Sequence, residues 1–170
     1  MNATISYIGG DDTTSLTFPP SIPTTFSLCG ITRYSGSHQQ RILTSSVDNW
    51  LHGHWNGLRG QAYYGEWVTD GATSYGALTN WLVMCGTNGG IAAPNNILED
   101  GNAIGTLSGG FGGAPRDLGI NLLSSPLPTE VSDWQLSYVV IWQIALSQAQ
   151  LHSASAELQD YLATGAEPDF

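Results

Sequence analysis

Leu136-Ser137-Tyr138-Val139-Val140-Ile141-Trp142 is a run of β-branched and aromatic residues and reads as a strand late in the chain. A helix follows directly. Ser147 can cap its N-terminus, Gln150 three residues on completes a capping box, and Leu146 and Leu151 occupy the two positions of a hydrophobic staple. Leu151, Ala154, Leu158, Tyr161 and Leu162 then repeat at helical spacing, with Gly165 as the stop and Glu157 and Asp160 on the polar face. The helix is expected to lie on a β body and to carry no function.

Upstream, short apolar stretches alternate with Gly, Ser, Thr and Asn, which is the pattern of many short strands and turns. Phe26 to Tyr34 reads as a strand ended by Ser35-Gly36-Ser37. Trp81-Leu82-Val83-Met84-Cys85 is continuously apolar, as a strand buried on both faces would be. Asp100-Gly101 accepts positive φ and predicts a tight hairpin between Ile97-Leu98-Glu99 and Ala103-Ile104-Gly105. The run Gly109-Gly110-Phe111-Gly112-Gly113 is expected to be a plain loop, because no strand-to-helix context makes it a phosphate cradle. Together these elements predict an all-β fold: a two-sheet antiparallel jelly-roll sandwich with one C-terminal surface helix. The expected division is an N-terminal segment or edge strand over 1–24, a sandwich domain over 25–163 and an acidic tail over 164–170.

Composition narrows the partners. The 170 residues suit one domain, and 41% hydrophobic content supplies a core. Fourteen acids against four bases give a net charge of -10; the bases are Arg33, Arg41, Arg59 and Arg116, with no lysine. Such a chain is repelled by a phosphate backbone and by anionic lipid, so nucleic-acid binding is set aside. No apolar run reaches the roughly 18 residues of a membrane span, and the opening residues lack a basic, then apolar, signal pattern. Either the mature protein begins here or the chain is a piece of something larger. Asn2-Ala3-Thr4 is a glycosylation sequon of a kind that arises easily by chance. Cys29 and Cys85 are expected in neighbouring strands, either bridged or as two buried thiols.

The closing stretch from Trp134 to Trp142, then Ala145-Leu146-Ser147 and the helix to Tyr161-Leu162, resembles the end of concanavalin A-like (laminin-G-like) domains. Glu99 to Thr106 is similar to that family's turn hairpin, and Phe26 to Thr32 resembles one of its early core strands. The resemblance spans most of residues 25–163. It implies a fold shared by lectins, adhesion modules and glycoside-active enzymes, so function must be argued from a site.

The densest cluster of binding-competent side chains is Asn49, Trp50, His52, His54, Trp55, Tyr63, Tyr64, Glu66 and Trp67. On a strand, Trp50, His52 and His54 share one face, and Leu51, Gly53 and Trp55 the other. If the second set packs inward, the first forms a stripe for stacking on sugar rings and bonding their hydroxyls, with Tyr64 and Trp67 beside it. The competing reading is that these rings are core and edge packing. His52 and His54 with His38 or Glu66 form a weak metal set, so no metal ligands are assigned. Calcium is the more plausible ion, with oxygen donors at Asp11, Asp12, Asp70, Asn88, Asn95 and Asn96.

Catalysis is not expected. The Glu-x-Asp-x-x-Glu run of the related glucanases is missing, adjacent Glu99 and Asp100 would diverge, and Glu66 has no visible partner. No Gly-x-Ser-x-Gly elbow occurs, and pairing either cysteine with His52 would need buried strand residues to meet by chance. The expected function is therefore a non-catalytic, lectin-like carbohydrate-binding or cell-adhesion module, extracellular or at the cell surface. The alternative is a structural subunit of an extracellular fibre, coat or larger complex. The expected partner is a glycan or another protein chain, with no membrane insertion.

Overall fold

Alternating apolar residues along β3 (Ser27–Tyr34) and β7 (Leu82–Thr87) supply two buried faces, and the architecture follows from covering both. The computed structural model describes residues 4–71, 75–107, 109–110, 115–122 and 128–170. The Asn2 sequon and residues 111–113 of the glycine-rich run lie outside them. One sheet has the order β1 (Ile8–Gly10), β11 (Trp134–Trp142), β3, β7, β8 (Ile97–Glu99), β9 (Asn102–Ala103). The other runs β2 (Leu16–Ile22), β10 (Arg116–Ile120), β4 (Leu43–Thr44), β5 (Trp50–Trp55), β6 (Leu58–Tyr64). Every pairing is antiparallel, so the fold is the expected two-sheet sandwich with one C-terminal helix. The N-terminal segment contributes one edge strand to each sheet.

Between the sheets, Leu28, Tyr34, Leu82 and Met84 meet Leu43, Trp50, Ala62, Tyr64 and Leu118. On the far side of the six-stranded sheet, Cys29, Ile31, Val83, Cys85 and Leu98 are covered by α1 (Gln148–Thr164). The helix is thus a third layer, and the continuous apolar run at 82–85 is its consequence. Its ends form as read: Ser147 N–H donates to Gln150 Oε1 at 2.9 Å, Gln150 N–H donates to Ser147 Oγ at 3.4 Å, and Gly165 caps the C-terminus at φ 78°. Leu146 and Leu151 are both buried in that layer. Among the described residues no helix is long and apolar enough to cross a membrane.

Cys29 and Cys85 stand directly opposite each other in the β3–β7 register and form a disulfide beneath α1. Asp100 and Gly101, at φ 47° and 80°, turn β8 into β9 as expected.

Candidate functional site

Trp50, His52 and His54 do share one face of β5, but that face points into the core. Trp50, His52 and Tyr64 form a parallel stack, with Trp50–Tyr64 centroids 5.7 Å apart at 10° and His52 within 6.3 Å of both. All three, and His54, are fully buried. Four of the five expected ligand-binding residues are therefore corrected to core residues; solvent reaches none of them. Room for this polar stack comes from Gly86 on the opposing sheet, where a Cβ would lie 2.4 Å from Tyr64 Oη. The weak metal set falls too, because both nitrogens of His52 are engaged. Its Nε2–H donates to the Met84 carbonyl at 3.1 Å, so Nδ1 is left to accept from the Tyr64 hydroxyl at 2.7 Å. His54 Nδ1 meets Thr32 Oγ1 at 3.2 Å, and its Nε2 has no hydrogen-bond partner among the described residues.

Burial holds both imidazoles neutral, lowering His52 to about 4 and His54 to about 3, the latter helped by repulsion from Arg59 and then His52. An unfolded histidine protonates near 6.5, so their contribution to stability is fully present above that pH. It is lost as pH falls toward the two folded values. His54→Gln is expected to flatten this acid limb. Urea unfolding followed from about pH 7 to about pH 4 will show a smaller loss in the variant than in the parent, whereas equal losses would assign the slope to other groups.

The opposite face of the same hairpin carries the site. Asn56 and Gly57, at φ 51° and 71°, join β5 to β6 in a two-residue turn that sets Trp55 across from Leu58. At the other end of β6, Gly65 (φ 85°) lets the chain double back, with Tyr64 N–H donating to Glu66 O at 2.9 Å and Val68 N–H to Ala62 O at 3.1 Å. That return lays Trp67 over β6, 5.2 Å from the Tyr63 ring and 5.0 Å from Trp55. Trp67, 37% exposed, is the expected site residue that does face solvent. It walls a pocket of about 440 Å³ with Trp55, Leu58, Gln61, Thr69 and Asp70.

The pocket is held rigidly. Trp55 Nε1–H donates to Glu130 Oε2 at 2.9 Å, and Arg41 Nε donates to the same oxygen at 2.5 Å. Thr69 Oγ1 accepts from Ala62 N–H at 3.0 Å, and Gln61 Nε2 donates to Arg59 O at 3.1 Å. Trp55, expected in the core, is thus a pocket wall; Asn56-Gly57 was the sequence signal for the turn that puts it there.

The other expected ligands have different duties. Asp11 Oδ1 accepts from Thr13 and Thr14 in a local turn, Asn88 ties Phe26 N–H to Thr24 O, and Asn96 Nδ2 donates to Leu107 O. Asp12 and Asp133 flank His38, whose Nδ1 lies 3.5 and 3.4 Å from them, joining the N-terminal segment to the start of β11. Glu99 and Asp100, expected to diverge, converge instead on Arg59. The positive φ of Asp100 swings its carboxylate back toward the guanidinium that Glu99 Oε1 meets at 2.9 Å.

No protein-family model matches the chain, and no curated protein sequence matches it. Among solved structures it is similar to a mutant of Trypanosoma rangeli sialidase displaying trans-sialidase activity, with 13% sequence identity and a TM-score of 0.47. That likeness covers 82% of this chain and 24% of the other, so the chain spans about a quarter of that structure's length. That structure is an enzyme's, contrary to the expectation of no catalysis for this chain. The likeness carries no activity across.

Proposed function

We propose that this chain is a carbohydrate-binding module of lectin or adhesion type, on a concanavalin A-like sandwich, working outside the cell. The concave Trp55–Trp67 pocket carries the reading: two indoles give a sugar ring an apolar surface to stack on, and Gln61, Thr69 and Asp70 supply polar groups at the same opening. The strand, turn and capped helix at the C-terminus support the family resemblance. The buried disulfide supports an oxidising, extracellular setting.

Trp67→Ala tests the proposal, since the side chain is partly exposed and its loss leaves the core untouched. On a glycan array followed by calorimetric titration, the variant is expected to bind roughly 10- to 100-fold more weakly while circular dichroism shows it still folded. Binding equal to the parent's would remove the pocket from the case.

One observation favours the structural alternative. Phe18 (41% exposed), Leu118, Val139 and Ile141 line an apolar cleft between β2 and the part of β11 that runs past its pairing with β1. If a protein partner is the ligand, Phe18→Ser will abolish the association while Trp67→Ala leaves it intact.

A further inference from the structure

We infer that the Trp55–Trp67 pocket selects neutral hexoses and rejects sugars carrying carboxylate or sulfate, an inference that rests on the carbohydrate-binding reading above. An anionic sugar leaves water readily only when a cation or several donors replace its hydration, and a guanidinium or ammonium is the usual means. This chain has no lysine and four arginines, and each arginine is already held. Arg33 Nε donates to Gln135 Oε1 at 2.6 Å, with its guanidinium 4.4 Å from the Trp81 ring. Arg59 is enclosed between Glu99 and Asp100, and the buried Arg116 meets Asp48 at 3.2 Å.

Arg41 comes nearest in function, since it shares the Glu130 carboxylate with Trp55. It is buried, however, with Nη1 donating to Asn49 Oδ1 at 2.7 Å and its charge matched by Glu130. His52 and His54 are neutral and enclosed. Among the described residues the charged side chain that does line the pocket is Asp70, an acid. An anion entering there meets an acid and none of the four arginines, each of which is engaged elsewhere, while a neutral hexose presents C–H faces to the indoles and hydroxyl groups to the polar lining. Gly71 completes the fit: a Cβ at this position, where φ is +70°, would lie 3.0 Å from Gln61 Oε1 and narrow the approach to it.

The test titrates the full chain with matched pairs, lactose against 3′-sialyllactose and a neutral disaccharide against its uronic-acid counterpart, at low and at physiological salt. The neutral member is expected to bind at least about tenfold more tightly, with the gap narrowing as salt screens Asp70. Asp70→Asn is expected to narrow the gap at low salt, and circular dichroism checks that it folds. An acidic member that binds as well as or better than its neutral partner would overturn the selectivity while leaving carbohydrate binding in place. No binding of any sugar, neutral or acidic, would overturn the carbohydrate reading and this inference with it.

Discussion

Arg59→Met is expected to lower the free energy of unfolding by roughly 3–5 kcal/mol, the usual consequence of removing one member of a buried ion pair. Arg59 is 1% exposed and Glu99 fully enclosed. The guanidinium donates to Glu99 Oε1, to Asp100, and to the carbonyls of Ala77 and Trp81 at 3.2 and 3.4 Å. Without it the two acids face each other in a poorly hydrated place, beside Gly60, where a Cβ would lie 2.4 Å from Glu99 Oε2. Burial already raises the pKa of both carboxyls against the pull of Arg59. Removing the cation raises them further, so the native variant takes up protons that the unfolded chain does not. The deficit is therefore largest near neutral pH and shrinks as pH falls. Urea unfolding measures it. Arg59→Met combined with Glu99→Met should recover much of the loss, since breaking the pair costs more than replacing it. A single variant as stable as the parent would mean that the pair holds nothing together.

Removing the Cys29–Cys85 bridge is expected to cost about 4 kcal/mol, the loop-closure entropy of a 56-residue separation. For a chain of this length that corresponds to a fall of roughly 10 °C in Tm. Because both sulfurs lie beneath α1, dithiothreitol should reduce the native protein only as fast as the helix layer opens, and much faster in urea. A Cys29→Ala, Cys85→Ala double variant measured by calorimetry isolates the cross-link, since two alanines leave only a small void. An unchanged Tm would show that the unfolded chain is already constrained without it.

What could be read in advance followed the range of the interaction that decides it. The ends of α1 were legible because Ser147, Gln150, Leu146, Leu151 and Gly165 act on one another within a turn or two. The Asp100-Gly101 hairpin was legible for the same reason, and Asn56-Gly57 was an equally local signal for the turn beside the site. Whether the cysteines were bridged was not, because their pairing depends on the β3–β7 register across more than fifty residues.

The candidate site shows the division most sharply. By itself the sequence determined that Trp50, His52 and His54 lie on one side of a strand and Trp55 on the other, since side chains in extended backbone alternate. Only the tertiary structure decided which side is inside. His52 looked like a surface ligand because a buried imidazole needs partners, and those partners, Tyr64 Oη and the Met84 carbonyl, come from a neighbouring strand and from the opposite sheet. Local alternation sorts residues into two faces; which face is buried depends on the sheet that packs against it, and long-range packing alone supplies that sheet.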